Sequence, residues 1–169
     1  GGSLGSALVR KGYQVSGWDQ EPETVAEAFR IGAINQLPND FKSAMKDAGV
    51  VFVATPVTSI AKVIEECRSV AAPGTIFTDL GSIKEQVIRE VQQVLPAGCY
   101  FVPGHPMTGS EKHGIAGADP FLFENAAYIL IEDPIPSYLL FLEKDYCTYD
   151  EAVIDSPDLS ISVDCSDIE

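Results

Sequence analysis

Three stretches predict an α/β protein built on a doubly wound parallel sheet that is truncated at its N-terminus. The run Val50-Val51-Phe52-Val53-Ala54, set between Gly49 and Thr55-Pro56, is apolar throughout, as a parallel strand buried on both faces requires. Thr75-Ile76-Phe77-Thr78-Asp79 is a second strand, and between the two Ile60, Val63, Ile64 and Cys67 recur at helical spacing. From Lys84 to Leu95, Val87, Ile88, Val91 and Val94 share one helical face, so strands and helices alternate along the chain.

The elements follow in order from the first residue. Gly1-Gly2-Ser3-Leu4-Gly5-Ser6-Ala7-Leu8 opens a helix that runs to Lys11, with Gly12 as its C-terminal cap. Gln14 to Trp18 reads as a short strand ending in Asp19, and Pro22 opens a helix that reaches Ile31 before Gly32. In a dinucleotide-binding βαβ unit, phosphates sit on the helix N-terminus, and an acid about 20 residues after the glycines accepts hydrogen bonds from the adenosine ribose. Gly1, Gly2 and Asp19 hold those places, although a helix start packed closely on a sheet would use the same small residues. A first strand and the leading glycines of G-x-G-x-x-G are expected to precede Gly1.

Pro73-Gly74 turns the chain before the second strand, Pro96 and Gly98 close the helix after it, and Tyr100-Phe101-Val102 follows. Next comes Gly104-His105-Pro106-Met107-Thr108-Gly109-Ser110-Glu111, too rich in Gly and Pro to be read as regular structure. It sets an imidazole and a carboxylate six residues apart. An imidazole exchanges a proton near neutral pH, so His105 is the candidate chemical centre, the plain alternative being a turn with a solvated histidine. The loops at Thr55-Pro56, Gly81-Ser82 and Gly104-His105 follow the carboxyl ends of successive strands, the edge where open α/β sheets bind ligands.

Composition excludes several classes of function. At 169 residues, with 46% hydrophobic and 21% charged residues, the chain is one globular domain with a sizeable core. A net charge of -14 repels polyanions, so neither nucleic acid nor an anionic membrane is expected as a partner. Cys67, Cys99, Cys147 and Cys165 lie far apart without a C-x-x-C pair, which fits reduced thiols in the cytoplasm and no metal site. No apolar run is long enough to cross a bilayer, and no signal-peptide pattern opens the chain.

Gly1-Gly2-Ser3-Leu4, Asp79-Leu80-Gly81-Ser82-Ile83-Lys84 and above all Gly104-His105-Pro106-Met107-Thr108-Gly109-Ser110-Glu111 resemble the nucleotide-binding domain of prephenate and arogenate dehydrogenases. Leu122-Phe123-Glu124-Asn125, followed by a strand from Ala127 to Ile131, extends the resemblance over residues 1–133. It implies a Rossmann-type domain, NAD as cofactor, and oxidative decarboxylation of prephenate or arogenate in tyrosine biosynthesis. His105 would act as base toward the ring hydroxyl, and Ser82 would donate to substrate or nicotinamide. Glu111 would order charged groups at the cleft entrance. Gly1, Gly2, Ser3, Leu4 and Asp19 would meet the adenosine and diphosphate half of the cofactor, and Ala54, Thr55 and Pro56 its nicotinamide side. Lys84 and Lys112 are possible anion contacts. A homodimer is implied only for the full-length family protein, through a helical second domain that also supplies an arginine for the substrate carboxylate.

Residues 134–169 read as an acidic tail, poorly ordered or atypical, with nine acids against Lys144 from residue 143 onward. Leu159-Ser160-Ile161-Ser162-Val163 alternates as a half-buried strand would, but a solvated tail is the expected state. On this reading the chain is an incomplete dehydrogenase, expected to bind NAD weakly and not to turn over. The competing reading is a catalytically inactive nucleotide-binding remnant or interaction module.

Overall fold

The computed structural model describes residues 1–131 and the strand at 160–164. In chain order its main elements are α1 (Gly2–Arg10), β1 (Gln14–Trp18), α2 (Pro22–Arg30), α3 (Phe41–Met45), β2 (Ala48–Val53) and α4 (Ile60–Glu66). They continue with β3 (Ile76–Asp79), α5 (Glu85–Val94), β4 (Tyr100–Val102), β5 (Gly104–Pro106), β6 (Tyr128–Leu130) and β7 (Ser160–Asp164). The main sheet runs β1-β7-β2-β3-β4 with every pairing parallel, and β5 pairs β6 in a separate antiparallel ribbon.

Both faces of β2 are covered, which is why its sequence is apolar without alternation. Val51 and Val53 join Ile60, Ile64, Phe77, Val87 and Val91 in one buried cluster, while Val50 and Phe52 join Leu4, Leu8, Val15, Val25 and Ala28 in another. Helices α4 and α5 therefore lie on one side and α1 and α2 on the other, as a doubly wound sheet requires. Gly12 and Gly32 end α1 and α2 at φ +94° and +75°, where a side chain would be strained.

Three departures from the sequence reading matter for the site. Helix α3 was not anticipated, because five residues show no period; its signal is the capping box, in which Ser43 N–H donates to Asp40 Oδ1 at 2.7 Å. The stretch from Gly104 is not all loop either. Gly104–Pro106 is strand β5, pairing Gly104 with Leu130, His105 with Ile129 and Pro106 with Tyr128. A two-stranded ribbon tolerates the proline because it has free edges on which a missing N–H costs nothing.

The third departure is β7, which occupies the position between β1 and β2 instead of lying in a solvated tail. Ile161 stands opposite Val15 on one side and Val50 on the other, and Val163 opposite Gly17 and Phe52. The physical cause is the pair of open parallel edges that β1 and β2 would present without it, since each buried N–H and C=O needs a partner. The boundary expected at 133/134 and the rest of the acidic tail, with Cys147 and Cys165, lie outside the described residues.

Helix α1 sits close to the chain following α2. A Cβ on Gly5 would collide with the carbonyl oxygen of Ala33, a backbone atom that cannot rotate away. Gly5→Ala should therefore cost about 1–3 kcal/mol, the usual range for overpacking. Urea denaturation checks this, and an unchanged midpoint would refute the close approach. Among the described residues no helix is long and apolar enough to cross a membrane.

Candidate functional site

Strand order places the carboxyl ends of β2, β3 and β4 side by side, with Val53 opposite Asp79 and Thr78 opposite Val102. The chain leaves these ends through Ala54-Thr55-Pro56, Gly81-Ser82 and Gly104-His105, so the three predicted loops do meet on one edge. His105 is half-buried on β5; its Nδ1 is enclosed and has no hydrogen-bond partner among the described residues. Ser82 and Glu111 are exposed. Thr55 is buried, its hydroxyl 3.4 Å from the carbonyl oxygen of Pro56, while Ala54 and Pro56 are half-buried.

Beneath His105 lies a set of bonds that sequence reasoning missed. Asp79 is fully buried at the end of β3 and pairs with Lys84, whose ammonium also donates to the carbonyl oxygen of Gly104 at 2.5 Å. Asp79 Oδ2 accepts from Gly81 N–H at 3.0 Å, and Oδ1 from Gly104 N–H at 3.2 Å. Lys84 is thus occupied inside the protein, which corrects its reading as an anion contact; Lys112 is exposed. The available signal was the i,i+5 pairing of an acid at a strand end with a lysine opening the next helix.

Tyr128 completes this set from β6. Its hydroxyl donates to the backbone oxygen of Asp79 at 3.1 Å and lies 3.4 Å from Thr78 Oγ1. Burial pushes its phenol up to about 12; the hydrogen bond with Thr78 works against this, and the charge of Asp79 adds to it. The folded value lies above the ordinary 10.0, so the stability linked to Tyr128 is intact below pH 10 and is lost as pH rises toward 12. Stability measured across that window should decline less steeply in Tyr128→Phe than in the unaltered chain. Parallel curves would show that the phenol is not held neutral by the fold.

A second cleft lies at the start of α1. Gly1, Gly2, Trp18, Asp19, Thr24 and Ile115 are among the residues lining it. Gly1 caps α1 without a side chain, so nothing of its own competes for the first-turn N–H groups. A Cβ on Gly2 would stand 2.6 Å from Ile115 Cδ1, and Asp19 at the end of β1 is 1% exposed, its Oδ1 accepting from Glu21 N–H at 2.8 Å. Ser3 Oγ accepts from Asp119 N–H at 3.0 Å, which leaves its hydroxyl proton to donate. The side chain of Leu4 is fully buried in the core, leaving only its backbone to meet a ligand. A bare helix N-terminus, glycines without Cβ atoms and an acid in the same cleft fit a dinucleotide. The structure thus gathers Gly1, Gly2 and Asp19 in one cleft and sets His105, Ser82 and Ala54 to Pro56 along the sheet edge. Among the described residues Glu111 forms no hydrogen bond or ion pair with either group.

Comparison with known proteins gives the same answer. Residues 4–135 match the family model described as the prephenate dehydrogenase nucleotide-binding domain. The prephenate dehydrogenase of Bacillus subtilis is 41% identical over 133 residues, covering 77% of this chain and 36% of that protein. The chain therefore spans about a third of the length of this relative. Synechocystis arogenate dehydrogenase superposes with a TM-score of 0.74 at 28% identity, covering 98% of this chain and 56% of that structure. The Aquifex aeolicus prephenate dehydrogenase, solved in complex with hydroxyphenyl propionate and NAD+, shares the fold at a TM-score of 0.69 and 21% identity, covering 98% of this chain and 56% of its own. With the match spanning most of its length, the chain belongs to the family of prephenate dehydrogenase nucleotide-binding domains.

Proposed function

We propose that this chain is the NAD-binding part of an oxidoreductase that converts prephenate or arogenate by oxidative decarboxylation in tyrosine biosynthesis. The observation that carries the reading is His105, its Nδ1 enclosed and its strand bonded to the end of β3, on the sheet edge shared with Ser82. NAD+, when bound, supplies the hydride acceptor. The helix start at Gly1 and Gly2 would receive its diphosphate, and Asp19 would accept from the adenosine ribose. Ala54, Thr55 and Pro56 would face the nicotinamide side.

His105 would accept the proton of the substrate ring hydroxyl as the carbonyl forms, a role suited to an imidazole near neutral pH. Ser82, exposed at the neighbouring strand end, would donate a hydrogen bond to substrate or nicotinamide. Glu111 would order charged groups at the cleft entrance. Loss of carbon dioxide then makes the ring aromatic. The substrate carboxylate contact and a homodimer belong, on this reading, to the longer polypeptide. A cytoplasmic location is part of the same proposal, supported by four cysteines spaced far apart without a C-x-x-C pair.

Two experiments test this. Calorimetry should show that the chain binds NAD+ in preference to NADP+, because the carboxylate of Asp19 repels a 2′-phosphate, and Asp19→Ala should weaken NAD+ selectively. Preference for NADP+ would overturn the cofactor assignment. For turnover, the matched segment can replace its counterpart in the Bacillus subtilis relative. There His105→Asn should lower kcat by roughly 10²-fold or more with NAD+ affinity unchanged. Equal turnover would remove His105 from the chemistry.

A further inference from the structure

The ribbon that carries His105 is tied to the main sheet at the carboxyl end of β3. Gly104, the residue before His105, donates its N–H to Asp79 Oδ1 and accepts from Lys84 through its carbonyl. From the paired strand, Tyr128 reaches across Gly104 to the backbone oxygen of Asp79. The fit is close enough that a Cβ on Gly104 would stand 2.6 Å from Tyr128 Cζ, so ring and backbone lie in direct contact. Tyr128 sits opposite Pro106 in the ribbon, so its hydroxyl and the two Gly104 bonds hold both sides of His105. Because Asp79 is fully buried at the end of β3, the anchor on the other side belongs to the interior of the main sheet.

We infer that Tyr128 is a positioning residue, whose hydroxyl fixes the orientation of the His105 imidazole by locking strand β5 onto the carboxyl end of β3. The inference rests on the reading of His105 as the base only for its functional meaning; the geometric effect stands apart from it. Tyr128 touches no reacting atom, and it acts through the Gly104 backbone. A phenol that stays protonated to about 12 remains a donor to the Asp79 carbonyl throughout the neutral range. Without the hydroxyl, that carbonyl loses a buried donor, while the two Gly104 bonds remain.

The chain holds two histidines, so its imidazole signals can be assigned simply, with His113 as an internal reference. Tyr128→Phe, which keeps the ring and removes one oxygen, should displace the His105 Cε1 and Cδ2 signals while leaving those of His113 and the amides of β2 in place. Exchange of the Gly104 amide should quicken about tenfold, the effect of losing one buried hydrogen bond. Thr78→Val, which removes only the more distant partner at 3.4 Å, should move the same His105 signals less. Unmoved His105 signals in a folded Tyr128→Phe would overturn the inference, as would a change spread equally over His113 and β2. If instead His105→Asn keeps its turnover while Tyr128→Phe displaces the imidazole, the chemical reading of His105 fails and the positioning role stands.

Discussion

Lys84→Met should lower the unfolding free energy by about 3–5 kcal/mol, the cost of leaving one member of a buried ion pair without its partner. The side chain of Lys84 is 9% exposed and that of Asp79 0%, so solvent cannot replace the lost ammonium. Among the described residues the Asp79 carboxylate would keep only the N–H groups of Gly81 and Gly104, and the carbonyl of Gly104 would lose its Lys84 donor as well. Exposed pairs elsewhere behave differently. Arg89 and Glu85 lie on the surface of α5, with side chains 70% and 87% exposed, and Arg89→Ala should change stability by less than about 1 kcal/mol. Urea denaturation of the two variants measures the contrast directly. A loss below about 1 kcal/mol in Lys84→Met would mean that water reaches Asp79.

Ile161→Pro should destabilise the chain by about 3 kcal/mol or more, at or beyond the upper end of ordinary single substitutions. Residue 161 lies in the middle of β7, with Val15 on one side and Val50 on the other. A proline there has no N–H for the parallel ladder, and its ring disturbs a strand flanked on both sides, a place where proline is essentially not found. Because β7 joins β1 to the rest of the sheet, the damage should spread to both neighbours. Hydrogen exchange should show amides of β1 and β2 losing protection together, whereas those of β3 and β4 lose less. If β1 and β2 keep their protection, their pairing does not depend on residues 160–164.

Where one local signal decided an element, the sequence was legible. The uninterrupted run at Val50 to Val53, the period from Ile60 to Cys67, the proline at Pro22 and the glycines at Gly12 and Gly32 each placed an element to within two residues of its observed ends. The family resemblance was legible for a different reason, because the Gly104 to Glu111 stretch is a contiguous motif. Lys84 was not legible as an internal residue. A surface lysine and one that joins a buried acid to a strand carbonyl look alike until β3, α5 and β5 are brought together.

By itself, then, the amino-acid sequence determined the alternation of strands and helices, the doubly wound α/β class, the cleft residues Gly1, Gly2 and Asp19, and His105 as the candidate base. The first two follow from side-chain periodicity and from backbone restrictions at glycine and proline, which act over a few residues. The cleft residues follow from the order of glycines and acid in a dinucleotide-binding unit, and the base role of His105 from the family resemblance. Tertiary structure alone decided three further matters: that Gly104–Pro106 is a strand, that Asp79, Lys84 and Tyr128 lock it to β3, and that Ser160–Asp164 enters the sheet between β1 and β2. Each depends on groups from distant parts of the chain satisfying one another's buried hydrogen bonds. That requirement has no local signature, because a donor or acceptor is left short of a partner only once the surrounding fold has excluded water from it.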